Sequence, residues 1–171
     1  MKKTILLILS AVCLLGCAKS VQPMDGRQML QRLNEEHLSL LVLNNDSLSQ
    51  YTQHGVRDLL ALVEQEPERL RGAVVADKTI GKAAAALMVL GGVREAHTNN
   101  ICTPARLMLQ DAGVHVCYEN ELPMILNQDQ TGQCPLDARL NETATATECL
   151  PLIRSFYAPK ESPDAPVAVG E

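Results

Sequence analysis

The stretch Gly72–Gly92, GAVVADKTIGKAAAALMVLGG, decides the fold. Its first part, Gly72–Ala76, is a short unbroken apolar run, the pattern of a parallel strand buried on both faces. Ile80–Leu90 then sets Ala83–Ala86 beside Leu87, Met88 and Leu90, a slim apolar helix suited to close packing, and Gly91-Gly92 stops it. A strand running straight into a helix is half of a parallel crossover unit, and a second half follows. Val93–His97 predicts the next short strand, and Pro104–Ala112 a helix with Thr103 as N-cap and Pro104 at its first position, where a missing N–H costs nothing. Gly113 ends that helix, and Val114–Glu119 predicts a last strand.

Upstream, Arg27–Glu36 reads as a short lead-in helix with Met29, Leu30 and Leu33 at helical spacing. His37–Leu43 and Ser47–Gln53 read as strands joined by the turn Asn44-Asn45-Asp46, an antiparallel hairpin. Gly55–Gln65 aligns Val56, Leu59, Leu60 and Val63 on one helical face, with Pro67 beyond its end. Downstream, Asn127–Leu140 predicts a loop and a short helix. This order predicts an α/β protein, a three-layer α/β/α sandwich with an initial β-hairpin followed by alternating helices and mostly parallel strands. The domain is expected over residues 27–140. Residues 141–171 are expected to form a loosely structured C-terminal tail, its Pro-, Ala- and acid-containing end Ser162–Glu171 disordered.

Composition narrows the function classes. The chain has 171 residues, 46% hydrophobic and 20% charged, which suits one globular domain. Aromatic residues are 2% with no Trp, so the core is aliphatic and the composition argues against a platform stacking several bases. The net charge of −5 argues against a nucleic acid polymer as partner.

At the N-terminus, Lys2 and Lys3 precede the apolar run Ile5–Leu15, then Gly16 and Cys17. A charged start, a short apolar run and a small residue at the cut describe an export signal, too short to span a bilayer. Cys17 directly after Gly16 resembles the lipobox of a bacterial lipoprotein. The resemblance implies cleavage of residues 1–16, acylation of Cys17, and a tether over residues 17–26 that holds the domain near the membrane lipid. Ala18, rather than an acidic residue, points to the outer membrane of the cell envelope by the enterobacterial sorting rule.

Three stretches together, Gly72–Ala85, Gly91-Gly92-Val93 and Asn127–Asp137, resemble the prokaryotic family called domain of unknown function eighteen ninety-three, which has a cytidine-deaminase-like fold. The likeness covers roughly residues 38–140. Zinc deaminases carry H-x-E at one helix start and P-C-x-x-C at the next, and neither motif occurs in this chain. Zinc deamination is therefore not expected, and neither a metal nor a cofactor is. What the resemblance leaves is two helix starts at one sheet edge, where open α/β sheets bind ligands.

The candidate residues follow from that edge. Asp77, Lys78 and Thr79 are expected between strand and helix, with Lys82 one turn on, where a helix start and two lysines favour a phosphate or carboxylate. Asn127, Asp129, Thr131 and Cys134 are expected to fold over the same edge as ligand-binding residues. Cys134 near a helix start is a candidate nucleophile, and Asp77 a second catalytic candidate. The expected function is a membrane-anchored module that binds or senses a small anionic or nucleotide-like ligand. A metal-independent enzyme and an envelope structural protein with a vestigial site are the alternatives. Outside the export signal and Cys17, Cys102, Cys117, Cys134 and Cys149 allow three complete disulfide pairings, a bridge from Cys134 to Cys149 pinning the tail among the options. His97 and His115 are expected to be structural residues of strands, His37 and His54 surface residues, and the charges at Arg57, Asp58 and Glu64–Arg71 a solvated helix end.

Overall fold

The computed structural model describes residues 24–159, so the export signal, Cys17 and the chain end beyond 159 lie outside the described residues. Helix α1 (Gly26–Glu35) begins at a capping box in which Asp25 and Gln28 each take the other's backbone N–H. Strands β1 (Leu40–Asn44) and β2 (Ser47–Tyr51) form the hairpin, whose turn holds Asn45 at φ 52, a conformation Asn tolerates well. Helix α2 (Arg57–Gln65) and a single 3₁₀ turn at Pro67–Arg69 lead to β3 (Val74–Ile80). Helix α3 (Lys82–Gly91) follows and closes at Gly92, where φ 71 selects glycine. The chain continues through β4 (Glu95–Cys102), α4 (Thr103–Asp111), β5 (His115–Leu122), α5 (Pro135–Arg139) and α6 (Ala146–Tyr157).

The five strands form one sheet in the order β2-β1-β3-β4-β5. The β1 strand is antiparallel to both neighbours, while β3, β4 and β5 run parallel. Both parallel crossovers pass through helices on the same face, so the sheet grows in one direction from β3. On that face α2, α3, α4, α5 and α6 bury the larger core, built around Leu59, Leu62, Leu87, Met88, Leu109 and Ile153. On the other face, among the described residues, α1 alone sets Met29 and Leu33 against Leu41, Val74 and Ala76. This is the expected three-layer sandwich, thicker on one side. The lone α1 contacts β1, β3 and β4. The side chains of β5 are correspondingly half-buried or exposed along its whole length.

Several boundaries differ from the sequence reading. Asp77, Lys78 and Thr79 belong to β3, not to a loop before α3. The β4 strand extends through polar residues that conceal it. Thr98 is fully buried with its hydroxyl on the Asn100 carbonyl, and Asn99 reaches Glu119 on β5 at 2.8 Å. The cap of α4 is Cys102 by position, with no side-chain cap from Thr103, whose hydroxyl bonds Glu121 instead. Asp58 is buried rather than solvated, and takes the Gln53 backbone and side-chain N–H groups at 2.9 and 2.8 Å.

The largest correction concerns residues 141–159. They carry α6, started by a capping box between Thr145 and Glu148, and Ala146, Cys149 and Ile153 are buried against the core. Arg154 meets Glu64 of α2 at 2.6 Å, and the Tyr157 hydroxyl accepts the Val56 N–H at 3.2 Å. This helix is part of the domain. The remainder of the expected tail, including Ser162–Glu171, lies outside the described residues.

Candidate functional site

A cavity of about 460 Å³ opens at the C-terminal end of β3, the edge at which open α/β sheets bind ligands. Its floor is Asp77, Lys78 and Thr79, one wall is Gly81, Ala83 and Ala84 at the start of α3, and another is Cys134, Leu136 and Asp137. Phe156 and Tyr157, from the end of α6, close a third side, and the exposed ring of His54 stands at the rim. The Arg57 guanidinium lies 4.4 Å from the centroid of the Tyr157 ring, which stands nearly perpendicular to the Phe156 ring at 5.1 Å.

Asp77 is the chemically distinctive group. It pairs with Leu40 on one side and Thr98 on the other, in the middle of the sheet, and its Oδ1 accepts the Thr79 N–H at 3.0 Å. Burial of the carboxyl pushes its pKa up to about 7, against the smaller opposing effects of that hydrogen bond and of Lys78. A carboxyl poised there can donate a hydrogen bond when protonated and accept one when ionised. The Lys78 ammonium enters no ion pair or hydrogen bond among the described residues.

The second carboxyl, Asp137, has a structural task. Helix α3 starts at Gly81 with no side-chain cap of its own, and Asp137 supplies one from α5, accepting Lys82 N–H and Ala83 N–H at 3.1 Å each. Burial raises the Asp137 pKa, and the two amides and Lys82 oppose that rise. Gly81 is required by this arrangement, because a Cβ there would collide with the Asp137 carboxylate. Lys82 continues the same strut: its ammonium donates to the carbonyls of Leu140 at 2.6 Å and Thr143 at 2.7 Å. It therefore caps the C-terminal end of α5 and does not line the cavity.

The predicted site residues thus divide. Asp77, Lys78 and Cys134 come together on one cavity. Asn127 lies off its wall and instead closes the following loop, its Oδ1 on Thr131 N–H at 2.9 Å and its Nδ2 on the Thr131 hydroxyl at 3.0 Å. Asp129 is exposed on the same loop. Asp137, Phe156 and Tyr157 were not among the predicted site residues. The tail reading hid the aromatic pair, although Thr145-x-x-Glu148 is a legible helix start. Cys102, Cys117, Cys134 and Cys149 are all free thiols, so none of the three disulfide pairings is formed. Cys102 is buried beside the α3 and α4 starts, and burial raises its pKa. Among the described residues, no group of three metal-type donors gathers around it.

Fold and cavity define a class: a single-sheet α/β sandwich with a small cavity, lined by both apolar and polar side chains, at the carboxyl edge of its parallel strands. The chain belongs to the DUF1893 family, since the family model described as TM1506, domain of unknown function, matches residues 28–157. The crystal structure of a DUF1893 family protein, TM1506 from Thermotoga maritima, is similar in fold at TM-score 0.70 and 25% sequence identity, over 77% of this chain and 88% of that chain. No curated protein matches the chain. Among the described residues, no helix is long and apolar enough to cross a membrane.

Proposed function

We propose that this chain is a lipid-anchored member of its family whose domain, a deaminase-like fold without the deaminase zinc site, binds a small nucleoside-like ligand in the Asp77 cavity. The observation that carries the reading is a carboxyl with a pKa near 7 on the floor of a cavity of about 460 Å³ with aliphatic and aromatic walls. A volume of that order suits a ligand of nucleoside size. The mixed N–H and carbonyl edge of a nucleobase is the kind of partner a half-protonated carboxyl can meet in either state.

The same geometry turns the expectation of an anionic or nucleotide-like ligand toward an uncharged, nucleoside-like one. The first free amides of α3 are already taken by Asp137, and Lys82 is spent on backbone carbonyls. A phosphate would face two carboxyls, with Lys78 the one lysine on the wall. Anchoring rests on the Gly16-Cys17 signal, which would keep this binding domain at the envelope membrane.

The test is thermal shift and calorimetry on the full chain with uncharged nucleosides set against the matching monophosphates. The expected result is binding of one or more nucleosides, tighter than of their monophosphates, and lost in Asp77→Ala. Binding of monophosphates alone, or of neither class, would overturn the reading. Anchoring is checked separately by membrane fractionation, where Cys17→Ser is expected to release the protein from the membrane.

A further inference from the structure

At the opposite end of the parallel strands from the cavity, β4 and β5 present a second group of chemically distinctive residues. Glu95 pairs with His115, and His97 with Cys117, so two short sequences, Glu-x-His and His-x-Cys, lie in register on adjacent strands. Positions two apart on a strand share a face. That face is the one carrying α1, whose start packs so near His97 that a Cβ on Gly26 would overlap the imidazole. The helix contacts β4, while the His115 side chain beside it is 70% exposed.

Three donor atoms of different elements converge there. A Glu95 carboxylate oxygen, a His115 ring nitrogen and the Cys117 sulfur all lie within 4.8 Å of one another. His115 Nδ1 is 3.9 Å from Glu95 Oε1 and 3.8 Å from Cys117 Sγ. Metal–ligand bonds of about 2.0–2.3 Å in a tetrahedron put the ligands about 3.3–3.8 Å apart. Two of the three separations are thus already at or close to coordination distance, and the third needs a closure of no more than about 1 Å. His97 Nε2 lies 2.6 Å from Glu95 Oε1 and is largely shielded by α1, the place of an outer partner that orients a ligating carboxylate. Without a cation, burial raises the Cys117 thiol pKa and the neighbouring Glu95 carboxylate adds to it, while Arg27 opposes.

We infer that Glu95, His115 and Cys117 form an open three-ligand site for a divalent transition metal of the zinc class, with His97 as its positioning residue. Mixed oxygen, nitrogen and sulfur donors select zinc or cobalt over magnesium or calcium. The exposed side of His115 leaves the fourth position to water. Binding forms a bond from the metal to the Cys117 sulfur and releases the thiol proton to solvent. This site shares no residue with the Asp77 cavity and stands or falls independently of it.

The experiment titrates the full chain, stripped with chelator under reducing conditions, with Co²⁺ alone, and then displaces it with Zn²⁺. One equivalent should produce a thiolate-to-cobalt charge-transfer band and tetrahedral visible bands. Cys117→Ser should abolish the charge-transfer band. His97→Ala should weaken binding about 10–100-fold, the cost of losing an outer-shell partner, and His115→Ala by more than that. His115 is exposed, so His115→Ala keeps the test decisive if Cys117→Ser fails to fold. No uptake by the unmutated chain would overturn the inference, as would a band that persists in Cys117→Ser. Such a band would place the cobalt on one of the other thiols.

Discussion

Replacing Asp77 by Asn should stabilise the protein in alkaline solution and leave it nearly unchanged in acid. In the folded chain burial lifts the Asp77 pKa from 3.8 to about 7, above its value in the unfolded chain. The folded state therefore keeps a proton that the unfolded state has released, and stability falls as pH rises between those two values. At 1.36 kcal/mol per tenfold change, the penalty is about 0.5 kcal/mol near pH 4 and about 4 kcal/mol near pH 8, an upper bound because the cavity admits solvent. Asn is neutral throughout, fits the same space and can still accept the Thr79 N–H through its Oδ1. The gain at about pH 8 corresponds to a rise in melting temperature on the order of 10 °C for a domain of this size. Thermal unfolding of both proteins near pH 4 and near pH 8, followed by circular dichroism, measures it. A variant that gains nothing at the higher pH, or gains equally at both, would refute the assignment of a desolvated carboxyl with a raised pKa to this cavity.

Other substitutions probe the scaffold around that carboxyl. Gly81→Ala should push the Asp137 carboxylate off the start of α3, leaving two amides unpaired at a cost of about 1–3 kcal/mol, read from denaturant midpoints. Asp137→Ala should cost a similar amount, and the double variant little more than either alone, because both remove the same cap. Ile153→Ala should cost about 2–4 kcal/mol as a core truncation, and deletion of residues 145–171 should abolish cooperative unfolding. An α6 that could be removed without loss of the melting transition would contradict its place in the core. Cys134→Ser should preserve nucleoside binding, since the thiol stands on the wall as a half-buried neighbour, and isothermal calorimetry checks that.

Much of the architecture was legible because it rests on local rules. The GAVVA run, the alanine helix and the Gly91-Gly92 stop specify a buried strand and its crossover, and Asn44-Asn45-Asp46 specifies the hairpin. The errors lie where tertiary contacts override local preference. The Asp77-Lys78-Thr79 segment looks like a loop because it is polar, yet pairing with β1 and β4 holds it in the sheet. Thr98–Cys102 conceals the continuation of β4 for the same reason, since cross-strand amide and carboxylate bonds satisfy its polar groups. The α6 helix contains Pro151 and follows a Thr-rich lead-in, so its pattern reads weakly, and its stability comes from Cys149 and Ile153 against the core.

The candidate site was legible in part. Asp77 and Cys134 reach one cavity because a strand end and a helix start meet at the same sheet edge. Lys82 illustrates what sequence withholds: a lysine one residue into a helix looks free for an anion, and only the fold reveals the three carbonyl groups around its ammonium. The pairing of Glu95 and His97 with His115 and Cys117 was equally hidden, because it depends on the register between two strands.

The most direct test of the central claim follows Asp77 itself. Its side-chain carboxyl carbon, observed by nuclear magnetic resonance in the full chain, should titrate near pH 7 and shift on addition of a bound uncharged nucleoside, together with the amides of Thr79 and Tyr157. A carboxyl titrating near pH 4, or one blind to every nucleoside tried while signals elsewhere move, would contradict the assignment of the binding site to this cavity.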